Sequence, residues 1–258
     1  MRRMAFSRAL GCLVAAGVVI AGPAGADTTI RVDDNGDGGW MFNADPVNAT
    51  AMEFSLDESS IGGGSLKAGP ISATVAAEKF IAGLGLGVAV ADFTSVSYDF
   101  LISGSGTAED ADEFYVNVYA NIDDSTNYYD CRFDFVAATG STSAFTTASF
   151  ASTTTPTTVV RRSTARIATC PATLAQMPAG SHVRAIALNV GDTSLDDGGL
   201  VGYLDNVVVT ETSGATTYDF EVPVPVKDAC KDGGWADYGF AGQGDCISSL
   251  QANANAGR

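Results

Sequence analysis

The stretch that decides the fold is EFYVNVYANIDDSTNYYDCRFDFVA, Glu113–Ala137. In its first half Phe114, Val116, Val118, Ala120 and Ile122 alternate with Tyr115, Asn117, Tyr119 and Asn121. A period of two sends alternate side chains to opposite faces of a β-strand, so one face is apolar and the other polar and aromatic. DDST, Asp123–Thr126, supplies a four-residue hairpin connection to a second strand of the same pattern. Pairing across that turn sets Val118 against Cys131 and Val116 against Phe133 on the apolar face. On the other face Asn121 meets Tyr128, Tyr119 meets Asp130, Asn117 meets Arg132 and Tyr115 meets Asp134.

Outward from the hairpin, the chain continues in strands. TSVSYDFLI, Thr94–Ile102, alternates Val96, Tyr98, Phe100 and Ile102 against Ser95, Ser97 and Asp99. Further strands are expected at Met52–Leu56, Ser65–Ala68, Tyr128–Val136, Ala144–Phe150, Thr157–Arg162, Val183–Val190, Val201–Thr210 and Thr216–Glu221. Helical signals are confined to a turn or two at Pro171–Met177 and a short piece at Ile247–Ala254. Many short strands joined by polar turns predict an all-β sandwich or barrel. The Ser/Thr-rich run from Thr139 to Thr158 reads as exposed edge strands with a loop, because threonine favours strands. Pro223 and Pro225 lack the N–H groups that a continuing strand needs and mark the end of the sheet region.

The two ends set the compartment. Arg2, Arg3 and Arg8 precede an apolar run that closes on Ala24–Gly25–Ala26, the pattern of a secretory signal peptide cleaved before Asp27. That run is too short to span a bilayer, which takes about 20 apolar residues. Four cysteines follow it: Cys131, Cys170, Cys230 and Cys246. An even number in a secreted chain points to disulfides, and the absence of a CxxC argues against zinc. Of the three pairings open to them, Cys131–Cys170 and Cys230–Cys246 keep each pair within one compositional block. The second would staple CKDGGWADYGFAGQGDC, where Trp235, Tyr238 and Phe240 give a glycine-rich loop something to bury. Residues 1–26, 27–222 and 223–258 are thus read as signal peptide, sandwich domain and cysteine-bridged extension.

With 14 basic and 30 acidic residues, the chain has a net charge of −16. Such a charge repels phosphate backbones and anionic lipid, so neither nucleic acid nor membrane insertion is expected. Hydrophobic residues at 46% are enough for a core, which separates this chain from acidic disordered tails.

The polar hairpin face carries the binding expectation. Tyr115, Tyr119 and Tyr128 offer rings on which the C–H face of a sugar stacks. Asn117, Asn121, Asp130, Arg132 and Asp134 offer the planar donors and acceptors that paired hydroxyls require. DDNGDGG, Asp33–Gly39, begins like a calcium loop, but Ala44 stands where the closing Glu would fall. Catalysis has little footing. His182 is the sole histidine and no GxSxG occurs. The acids of Glu109–Glu113 and Asp196–Asp197 lie in loops, where carboxylates are ordinarily solvated. The chain is therefore expected not to be an enzyme.

GGGSLKAG, Gly62–Gly69, with GYLDNVVVT, Gly202–Thr210, resembles the opening and closing strands of secreted bacterial jelly-roll domains. These are of the carbohydrate-binding-module and concanavalin-like type. The resemblance covers roughly Thr28 to Val222 in layout, and implies an antiparallel jelly-roll β-sandwich. It also implies that Asp205, on the last such strand, joins a structural calcium site. Cys230–Lys231, Gly233–Gly234–Trp235 and Gln243–Gly244–Asp245–Cys246 resemble a short C-terminal element of secreted bacterial proteins.

Together these readings predict an all-β, antiparallel jelly-roll sandwich with a small disulfide-stapled C-terminal loop. Its expected role is non-catalytic binding of a carbohydrate or glycoconjugate outside the cell. The rival is a structural or cell-surface protein without a small ligand, and a glycan-degrading hydrolase stands third.

Overall fold

The computed structural model describes residues 27–42, 51–72, 79–122, 128–191, 198–222, 230–231, 235 and 241–248. The signal-peptide expectation, the DDST turn and Asp196–Asp197 lie outside them. Thirteen strands form two sheets among the described residues. They are β1 (Thr28–Val32), β2 (Trp40–Met41), β3 (Glu53–Ser55), β4 (Ser65–Ala68), β5 (Phe80–Ala89), β6 (Phe93–Gly104) and β7 (Phe114–Asn121). There follow β8 (Cys131–Val136), β9 (Thr146–Ala151), β10 (Thr158–Arg161), β11 (His182–Val190), β12 (Leu200–Glu211) and β13 (Gly214–Phe220).

The six-stranded sheet runs β10-β8-β7-β11-β5-β2. In the seven-stranded sheet β12 is central, with β6 and then β9 along one side. Its other side is shared: β4 pairs Gly202–Leu204 and β13 pairs Val207–Glu211. Every pairing is antiparallel except β1 with β13. The chain is a jelly-roll-type β-sandwich, and the two stretches behind the family resemblance lie side by side, with Tyr203 opposite Lys67. No helix among the described residues is long and apolar enough to cross a membrane.

Alternation builds the core. Val96, Tyr98, Phe100 and Ile102 of β6 face Phe114, Val116, Val118 and Ala120 of β7, all fully buried. Burying a side chain such as Val or Phe contributes roughly 1.5–3 kcal/mol, so these two strands alone fix which face turns inward. The phenol of Tyr98 donates to the Phe114 carbonyl at 3.0 Å, and burial pushes its pKa well up. Ring pairs such as Phe100–Phe114, 4.6 Å between centroids, join the sheets.

The Ser/Thr-rich run forms β9 and β10, each at a sheet edge as its composition predicts. Both disulfides have the expected pairing, Cys131–Cys170 and Cys230–Cys246. The last helix begins earlier than expected, at Gln243, and residues 249–254 of the expected stretch lie outside the described residues. Pro171–Met177 shortens to a 3-10 turn at Leu174–Gln176.

Three strands were not expected from the sequence: β1, β2 and all ten residues of β5. FIAGLGLGVA is too rich in glycine to read as a strand by propensity. It pairs on both sides, with β11 and β2, and its Leu84 packs into the core. Tertiary pairing overrides local preference there.

Candidate functional site

The outer face of the six-stranded sheet follows from the same alternation. With Val116, Val118, Phe133, Ile186, Leu188 and Leu84 all turned to the core, their neighbours face away from it. One row across the sheet reads Arg132, Tyr119, Ala185, Gly85; the next reads Asp134, Asn117, Ala187, Gly83, Met41.

The hairpin's register differs by two residues from the sequence expectation. Asn117 faces Asp134 and Tyr119 faces Arg132, because the connection reaches from Ile122 to Asp130 instead of spanning four residues. A shift of two keeps every side chain on its face. Tyr129 precedes β8 and joins the tyrosine cluster.

On the β7–β8 side the face is a closed polar ladder. Asn189 Nδ2 donates to Asn117 Oδ1 at 3.0 Å, and Asn117 Nδ2 donates to Asp134 Oδ1 at 2.6 Å. Arg132 donates to both oxygens of Asp134 at 2.7 and 2.8 Å, a fork that neutralises each charge with the other. Tyr119, Tyr128 and Tyr129 stand beside it with centroids 5.1–5.8 Å apart. Burial first, and then Tyr128 beside it, push the Tyr119 phenol well above its usual pKa. Tyr119 stays neutral and can give or accept a hydrogen bond.

Next to the tyrosines the face opens into a groove of about 220 Å3. Gly85 and Ala185 floor it, Tyr128 and Met41 border it, and Arg184 lines it too. A Cβ added at Gly85 would meet nothing within 4 Å, so the floor is bare backbone. Only three large hydrophobic side chains are exposed among the described residues, and two of them border this groove: Met41 at 56% and Tyr128 at 54%.

The eight expected binding residues therefore divide. Tyr128 is exposed, while Tyr115, Tyr119 and Arg132 are half-buried. Asn117, Asn121, Asp130 and Asp134 are buried. Lys79 lies over the Tyr115 ring at 5.1 Å. Asp130 accepts from the Ile122 and Arg166 amides, both at 2.9 Å, and so ties the end of β7 to the segment after β10. Met41, Gly83, Gly85, Arg184 and Ala185 were not foreseen. The alternation GLGLG, Gly83–Gly87, was the available signal, since it leaves one strand face without side chains.

The carboxylates proposed for calcium are already occupied. Asp205 Oδ2 accepts from the Ser60 and Ile61 amides, each at 2.9 Å, and Oδ1 from those of Asn206 at 2.7 Å and Phe220 at 3.3 Å. In DDNGDGG, Asp33 pairs with Arg31, Asp37 accepts from the Asp33 amide and Asn35 from the Phe42 amide. The stretch acts as a turn before the buried Trp40. Among the described residues no three His, Cys, Asp or Glu side chains are disposed to hold a metal. These residues do not fit calcium. Glu109 is exposed as expected, whereas Glu113 is buried.

No protein-family model matches the chain, and no curated protein sequence does. Solved structures give distant likenesses. One is the family 11 carbohydrate-binding module of a cellulosomal cellulase of Clostridium thermocellum, at 11% identity and a TM-score of 0.38, covering 64% of this chain and 82% of that one. Another structure of a family 11 module from that organism, in complex with a β-1,3-1,4-mixed-linked tetrasaccharide, matches at 12% identity and a TM-score of 0.38, over 62% of this chain and 81% of that one. A family 28 module specific for non-crystalline cellulose matches at 14% and 0.32, over 71% of this chain and 97% of that one. Likeness at this level leaves both architecture and ligand to be argued from the chain's own strands and side chains.

Proposed function

We propose that this is a secreted, non-catalytic carbohydrate-binding protein, and that the sugar lies on the outer face of the six-stranded sheet beside Tyr128. One observation carries the reading: of the three large hydrophobic side chains exposed among the described residues, two, Met41 and Tyr128, border the same groove. An exposed tyrosine offers a flat apolar surface and a hydroxyl, which suits a pyranose with its C–H face and its rim of hydroxyls. The bare floor at Gly85 and Ala185 lets a ring approach the sheet closely. Tyr119, held beside Tyr128 at 5.1 Å between centroids, stiffens the platform and lowers the entropy lost on binding.

The groove's small volume suits one face of a short sugar segment; enclosed small-molecule sites run to about 300–1,000 Å3. Affinity is accordingly modest, because sugar hydroxyls surrender water on binding. Support for a non-catalytic role is that no carboxylate lines the groove among the described residues. Glycoside hydrolysis takes two carboxyl groups flanking the bond. Support for secretion is the apolar leader, Met1–Ala26, together with two disulfides.

The test is titration of the purified protein against soluble neutral and acidic polysaccharides, with Tyr128→Ala alongside. Loss of the ring should weaken binding roughly tenfold, given about 0.5–1.5 kcal/mol for aromatic packing beyond area burial. No binding to any glycan by well-folded protein would discard this reading in favour of a structural or cell-surface role.

A further inference from the structure

Among the described residues the groove has one charged side chain, and its position follows from a defect in the sheet. Between Val183 and Ala185 β11 carries one residue more than β7: Val183 pairs with Ala120, yet Ala185 pairs with the adjacent Tyr119. Val183 and Ile186 both point into the core. Arg184 is the extra residue, a bulge that re-aims its side chain to the groove beside Ala185.

Arg184 is exposed, and among the described residues its side chain has neither a hydrogen bond nor an ion pair. Other cations are engaged: Arg31 with Asp33, Lys67 with Asp57 and Arg132 with Asp134. In a chain with 30 acidic residues, a guanidinium with no carboxylate partner among the described residues, beside a bare floor and an exposed ring, is a local reversal of sign.

Resting on the glycan-binding reading above, we propose that the groove takes a carboxylated sugar: a uronic acid unit set in an otherwise neutral glycan. The planar guanidinium fork matches a carboxylate in two parallel hydrogen bonds, while Tyr128 carries the ring. An isolated charge fits better than a polyanion. The net charge of −16 repels a long polyuronide, whereas a single carboxylate in the groove meets Arg184, the charged side chain among its described lining residues.

The experiment uses matched tetrasaccharides: a neutral β-glucan tetraose, the same chain with one residue oxidised at C6 to the uronate, the methyl ester of that uronate, and a 6-O-sulfated form. Each is titrated against the wild-type protein, Arg184→Ala, Arg184→Lys and Tyr128→Ala, with folding checked by circular dichroism. The uronate should bind about tenfold or more tighter than its ester, as a charge-assisted hydrogen bond contributes about 1.5–3 kcal/mol. Arg184→Ala should erase that preference, Arg184→Lys should keep part of it, and Tyr128→Ala should weaken all forms. Equal binding of uronate and neutral forms, a preference that survives Arg184→Ala, or tighter binding of the sulfated form would overturn this inference while glycan binding stands. No binding of any form would remove both.

Discussion

Two carboxylates on the seven-stranded sheet show how far a single side chain's role depends on what fills its oxygens. Asp205 accepts four backbone amides while fully buried, so removing it orphans four donors at once. An unsatisfied buried donor costs about 1–3 kcal/mol, and Asp205→Ala should cost at least about 3 kcal/mol and lower Tm by roughly 10 °C in thermal unfolding. Adding a chelator should leave the wild-type Tm unchanged. A drop would restore calcium to this site. Asp219 is the opposite case. Burial first, then Glu221 and Asp205, raise its pKa from 3.8 to about 6, and its Oδ1 is buried without a partner. Because the folded pKa exceeds the unfolded one, the contribution of Asp219 to stability is fully present below about pH 4 and is lost as pH rises through 6. Asp219→Asn should therefore raise Tm at pH 7 and not at pH 4; an equal rise at both would show that charge is not the cause. The importance of Asp205 was visible in sequence, through GYLDNVVVT, but its partners were not. Ser60 and Ile61 lie far away in the chain and reach it only when β4 pairs with β12.

At the scale of the element, alternation made most strands legible: β6, β7, β11 and β12 follow their periodicity to within a residue or two. The hairpin's faces were legible too, whereas its register was not, since it depends on the length of the connection and on Asp130 tying down the end of β7. The groove floor escaped for a different reason. It is built by β5, β11 and β2, which lie beside β7 only in the folded sheet. Glycine in β5 weakens the strand's own preference while leaving the outer face open. Filling that opening is a direct test. Gly85→Val adds a side chain to empty space and a better strand former, so the protein should keep or slightly raise its Tm while glycan binding is lost. Retained binding would move the site elsewhere. The Cys131–Cys170 bridge closes a separation of 39 residues across β8 and β10. Replacing both cysteines by serine should cost about 4 kcal/mol on chain-entropy grounds, read as a lower midpoint in urea. An unchanged midpoint would mean the hydrogen-bonded edge holds the segment without the bridge.

Across the whole molecule the two sheets divide the work. On the seven-stranded sheet Asp99 is engaged, accepting from the Thr147 hydroxyl at 2.6 Å, the Ser60 hydroxyl and the Asn206 side-chain amide. The six-stranded sheet neutralises Asp134 with Arg132 and leaves a patch of ring, thioether and bare backbone facing water. An open apolar patch on an otherwise strongly acidic surface is where a ligand of low charge would settle. The most direct measurement is calorimetric titration of the purified protein with a panel of soluble polysaccharides, run in parallel on Tyr128→Ala and Gly85→Val. The account predicts saturable binding by the wild-type protein, weakened about tenfold by the first variant and lost in the second. Binding unchanged in both folded variants, or absent from the wild-type protein across the panel, would contradict it.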